Sequence, residues 1–155
     1  MSVTVSVKEI DRGWNRIKSE IEKIDKSYVK VGVLEEAGAY EEGQTIAQVA
    51  GWNEYGTTRI PARPFMRQTF EKYGDEIQTQ IKGFLGKIID GKESVAVALK
   101  KVGEMAKGKI QKTISSGQFA ENRPATKEQK GAKKNKPLID TGRLRQSINY
   151  EVTEK

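Results

Sequence analysis

This sequence predicts an α+β fold: a small, mostly antiparallel β-sheet packed against two long helices and several short ones. Three observations lead there. Two long stretches, near residues 64–90 and 93–117, carry apolar residues at spacings of three and four, the period of a helix with one buried face. Alternation of period two appears only in short pieces, at residues 3–7, 27–34 and 150–152. Too few residues lie between those pieces for a doubly wound parallel sheet, which leaves helices covering a sheet of few strands. At 155 residues the chain is the size of one domain spanning residues 1–155. A chain of that length buries roughly 70% of its unfolded surface without help from disulfides or metals.

The elements follow in order. Val3, Val5 and Val7 alternate with Ser and Thr, which suits a short strand or a frayed end. Ile10, Trp14, Ile17, Ile21 and Ile24 fall on one face of an amphipathic helix, with Gly13 weakening it slightly. Val29, Val31 and Val33 define the strongest strand. Residues 35–44, with Gly38 and Gly43 and an excess of Glu, form a loop. Thr45 and Gln48 fit a capping box that opens a short helix through about Tyr55, and Gly56 suits the left-handed position after it.

Residues 60–64 must run extended, because the residue before each proline is pushed out of the helical region. Pro64 fits the first turn of the next helix. That helix carries Met66, Phe70, Tyr73, Ile77, Ile81 and Ile88 and stops near Asp90-Gly91. The third carries Val95, Leu99, Val102, Ala106, Ile110 and Ile114 and closes at Ser115-Ser116-Gly117. Gly103 and Gly108 inside it allow close packing or a bend. Residues 118–137 are nearly free of apolar side chains and rich in Lys, giving a flexible basic loop of unusual length for a small domain. Asp140 or Thr141 can cap a short helix through Ile148, and Tyr150 to Val152 reads as a closing strand.

Composition excludes much chemistry. The chain has no Cys and no His. Thiolate nucleophiles, disulfides, cysteine-ligated metals, and the commonest general base and metal ligand are therefore all missing. No enzyme, no cofactor and no metal is expected. Residues 1–8 hold no apolar run, so no signal peptide is expected, and no stretch approaches a membrane span. A reducing cytoplasm is the expected site of synthesis. The net charge of +7 points first to solubility and second to a polyanionic partner.

Four segments stand out. The first, residues 53–65, is either a proline-stiffened loop that docks on a partner through Tyr55, Arg59, Arg63 and Phe65, or a connector in which Arg63 and Phe65 seat the following helix. The second, Pro137-Leu138-Ile139-Asp140-Thr141-Gly142-Arg143-Leu144, reads as a helix N-cap. Arg143 there is a candidate for reading phosphate or carboxylate groups. The third is the basic loop. Lys130, Lys133, Lys134 and Lys136 either contact DNA phosphates or belong to a solvated loop that orders on assembly. The second reading is preferred because no aromatic platform for bases is interleaved. The fourth, Glu35, Glu36, Glu41 and Glu42, lacks EF-hand spacing and any stabiliser for acid–base work, so it reads as a polar tip suited to a neighbour's basic surface. Neither Gly38 nor Gly43 begins a phosphate-binding loop.

The sequence Asn53-Glu54-Tyr55-Gly56-Thr57, followed by Ile60-Pro61-Ala62-Arg63-Pro64-Phe65, two long helices, a Lys-rich loop and residues 137–144 with Ser147, Ile148 and Tyr150, resembles the tailed-bacteriophage neck or tail-completion (head–tail joining) proteins. The likeness runs from about Val29 to Val152, and Phe119 stands roughly where many members carry a tryptophan. The resemblance implies a structural, non-catalytic subunit of a homo-oligomeric ring, typically of six copies, at the head–tail junction. It implies head-completion or connector proteins and tail-terminator or tail-tube proteins as neighbours, assembly in the bacterial host cytoplasm, and a final place in the virion. A transient contact with genomic DNA is compatible with it, and a membrane contact is not expected. DNA must slide through such a ring, so the basic loop fits the rim better than the channel. The competing expectation is a basic nucleic-acid-binding module.

Overall fold

A computed structural model of the chain describes residues 11–41, 43–124, 128, 136–139 and 142–154. The expected strand at residues 3–7 lies outside them. The described elements are α1 (Trp14–Ile24), β1 (Tyr28–Val33), a 3-10 turn (Glu35–Ala37), α2 (Ile46–Tyr55), α3 (Phe65–Ile89), α4 (Val95–Ser116), α5 (Arg143–Gln146) and β2 (Ile148–Thr153). The class is α+β: two long helices and shorter ones around a two-stranded antiparallel sheet.

The caps explain where the helices begin. Thr45 and Gln48 form the full capping box of α2, with both reciprocal bonds present at 3.0 and 3.1 Å. Ser94 caps α4 by accepting from the Val97 N–H. Gly13 turns out not to sit inside α1. It precedes the helix as its N-cap at φ 97°, a backbone state open to glycine, so its cost to the helix disappears. The α5 N-cap is Gly142, with no side-chain cap bond, and the helix stops at Gln146 because Ile148 belongs to β2. Asp140 and Thr141, the expected caps, lie outside the described residues.

In the sheet, Val29, Val31 and Val33 of β1 oppose Val152, Tyr150 and Ile148 of β2. Alternation turns these six to one face and leaves Lys30 opposite Glu151 on the other. Helix α4 packs on the apolar face and approaches it closely at Gly103. A Cβ there would lie 2.4 Å from Tyr150 Cδ2 and 3.0 Å from Val29 Cγ2, so only glycine lets helix and sheet meet. Gly108 has nothing within 4 Å of the same virtual atom, which separates the two helix glycines.

Two apolar clusters result. The main one joins Ile46 and Ala50 of α2, Phe65 of α3, Ile110 and Ile114 of α4, Leu144 of α5 and Ile148 of β2. The second, Ile88, Val95 and Ala98 with Ile24, Phe84 and Leu99, binds α1 to the turn between α3 and α4. A 25-residue helix such as α3 is roughly 37 Å long. The α3–α4 hairpin therefore carries one cluster near each end, and the sheet and α2 serve only the first.

Candidate partner-docking site

Local geometry makes residues 53–65 rigid. Gly56 ends α2 at φ 79° and ψ 169°, a positive-φ state but not the left-handed helical one expected, and essentially reserved for glycine. A Cβ at Gly56 would lie 3.0 Å from Ala62 N and 3.2 Å from Ile60 O. Beyond it the Thr57 N–H donates to Ile60 O at 2.8 Å, and the Thr57 hydroxyl accepts from the Arg59 and Ile60 N–H groups. The Arg63 N–H then returns to Asn53 O at 2.6 Å. Backbone and side-chain bonds thus close this loop on the end of α2 without help from another chain.

Arg63 holds it from below. Its guanidinium donates to Ala120 O at 2.7 Å, Asn53 Oδ1 at 3.0 Å, and Glu121 O and Asn122 Oδ1 at 3.1 Å each. The residue is 6% exposed, and its acceptors are all neutral. Burial pushes its pKa below the usual guanidinium value, since no carboxylate offsets the lost hydration. Phe65, 2% exposed, enters the main core. The expectation that Arg63 and Phe65 contact a partner is corrected here. They are consumed inside the subunit, where they seat α3 and pin the start of the 118–137 loop.

The outer side of this connector is different. Tyr55 is 78% exposed and Trp52, one helical turn before it, 40% exposed. Arg59 is also exposed. Trp, Tyr and Arg are the residue types that most often dominate binding energy at protein interfaces, and a pre-ordered backbone lowers the entropic cost of docking them. Trp52 was not singled out from sequence. At helical spacing within α2 it is indistinguishable from a core position.

The remaining candidates do not gather there. Lys130, Lys133 and Lys134 lie outside the described residues, and Lys136 is exposed. Arg143, on α5, lies over the Tyr40 ring at 5.5 Å and borders a groove of about 390 Å³ with Leu34, Glu36 and Ile46. Among the described residues that line it, the groove holds one carboxylate, no nucleophile with a base beside it, and no paired acids. Among the described residues no three Asp, Glu, His or Cys side chains are grouped to hold a metal ion, and no helix is long and apolar enough to cross a membrane.

Two buried acids also escaped sequence reading. The Glu54 carboxylate accepts from the N–H groups of Met66 at 2.8 Å and Arg67 at 3.0 Å, capping α3 from α2. Pro64 precedes α3 with no side chain able to accept, so those donors need an outside partner. That want of a cap was the available signal, but it does not say where the acceptor comes from. Glu20 caps α4 in the same manner, accepting from Val95 N–H at 2.9 Å while pairing with Lys23 at 2.8 Å. The Lys23 hydrogen bond first, and the Val95 N–H second, hold its pKa below the ordinary carboxylate value.

No family model, curated protein or solved structure matches this chain.

Proposed function

We propose that this protein is a structural virion-assembly subunit, one of several identical copies in a ring at the head–tail junction of a tailed phage, where it completes the tail or neck. The observation that carries the reading is the self-locked connector, which turns Tyr55, Trp52 and Arg59 outward while Arg63 and Phe65 anchor it to the core. A loop stiffened by internal bonds and tipped with aromatic and Arg side chains is built to be gripped. The likeness of residues 53–65 and 137–144 to neck and tail-completion proteins supplies the biological setting.

The test is genetic and visual. Deleting the gene from the phage that carries it and imaging the lysate should yield filled heads and finished tails that fail to join, with joining restored by the supplied gene. Normal complete particles from the deletion would refute the proposal.

A further inference from the structure

Three lysines converge on one tyrosine at the α3–α4 seam. The ammonium groups of Lys109, Lys72 and Lys112 lie 4.5, 5.4 and 5.9 Å from the Tyr73 ring centroid. Among the described residues, Lys109 is the one of the three with a carboxylate partner, Glu76, at 2.6 Å. Lys72 and Lys112 are exposed and form no ion pair among the described residues. The cluster thus carries more positive charge than the described residues of its own subunit balance, and attraction to the face of the Tyr73 ring helps gather it.

The opposite imbalance sits on the turn after β1. Glu35, Glu36 and Glu41 are exposed, and no Lys or Arg among the described residues forms an ion pair with them. This turn is ordered by its backbone. The Ala37 N–H donates to Leu34 O at 3.0 Å, Tyr40 N–H to Gln44 O at 2.9 Å, and Ile46 N–H to Gly38 O at 3.0 Å, with a bridge between Ala39 and Thr45.

We propose that the acidic turn of one copy docks on the Tyr73 lysine cluster of the next. The inference rests on the ring reading and names the surfaces that form its junction. The two charge sets lie on different elements, so their contact is heterologous, and heterologous contacts are the kind that generate a ring. Both sets are pre-ordered, which limits the entropy lost on docking. A nucleic acid fits the lysines less well. Glu76 stands within the cluster, and the Tyr73 ring is buried rather than offered to a base.

The test is a charge swap on the full chain, followed by sedimentation equilibrium at low and high salt. Wild-type association should weaken about tenfold or more between 50 and 500 mM NaCl, as screening of an electrostatic junction requires. E35K/E36K/E41K and K72E/K112E should each lose association about tenfold alone. An equimolar mixture should regain it, because both junctions in the mixture are complementary again. The neutral K72Q/K112Q, which spares the fold from new acids, should show a smaller loss. Variants that associate like wild type, or a mixture that stays dissociated, overturn this docking but leave the ring reading standing. A wild-type chain that remains monomeric at every salt and concentration likewise overturns this docking, while the ring reading falls only if the gene deletion still yields complete particles. Intact association of K72E/K112E with weakened retardation of a DNA duplex assigns the cluster to nucleic acid and likewise overturns the proposal.

Discussion

Replacing Arg63 should loosen the connector at residues 53–65 from the segment at residues 120–122. The Arg63 guanidinium reaches four neutral acceptors on two segments, Asn53 on one side and Ala120, Glu121 and Asn122 on the other. A hydrogen bond from a charged donor contributes roughly 1.5–3 kcal/mol, but burying a cation with no anion beside it offsets part of that. For Arg63→Ala a net loss of about 3 kcal/mol follows, with Asn122 Oδ1 left in a buried site. Arg63→Lys should lose about 2 kcal/mol, because an ammonium on a flexible stem cannot span acceptors that a planar fork reaches together. At this chain length each kcal/mol moves Tm by roughly 2–4 °C, so Arg63→Ala should melt about 6–12 °C lower. Calorimetry gives the shift. Hydrogen exchange should show protection lost at residues 56–63 and 119–122 before any loss in α3 and α4. An Arg63→Lys protein that melts within about 1 °C of wild type would show that charge and bulk, not the fork of bonds, hold the loop.

Three further outcomes follow. Gly103→Ala should cost about 2–3 kcal/mol, because its Cβ would land 2.4 Å from Tyr150 Cδ2, while Gly108→Ala in the same helix should be neutral or gain up to about 1 kcal/mol. Equal denaturation midpoints for the two would refute the close approach of α4 to the sheet. Glu20 has a lowered folded-state pKa, so its stabilisation is present above its ordinary value of 4.5 and fades as pH falls through the folded value. Glu20→Gln should therefore lose stability near neutral pH and show a shallower acid limb below pH 4.5, measured by denaturant titration across pH. Tyr55→Ala should change stability by less than about 0.5 kcal/mol, since the side chain is 78% exposed, yet abolish complementation of a gene deletion in the phage assay. Full complementation would remove Tyr55 from the docking surface.

Much of the fold is set by physics that acts within a few residues of itself. The three-and-four spacing in α3 and α4, the Thr45–Gln48 box and the alternation in β1 are all local, and each appears in the structure. The absence of His and Cys is compositional and needs no fold. Gly103 and Gly108 show where local reading stops. Both are glycines inside one helix, and only the position of Tyr150, some 40 residues on, tells them apart.

The candidate site divides along the same line. Residues 53–65 stand out in sequence because Gly and Pro restrict φ locally. Which of their side chains face outward was settled by packing: Arg63 and Phe65 went in, and Tyr55 and Arg59 stayed out. Glu54 and Glu20 look like surface acids in a one-dimensional reading. Each became a buried cap when another element's unpaired N–H groups were brought to it, across 12–13 and 75 residues respectively. The sequence by itself determined element types, turns and the chemistry this chain lacks. Tertiary structure alone decided burial and long-range pairing, because an unsatisfied donor or an apolar face specifies that it needs a partner but not which distant residue arrives.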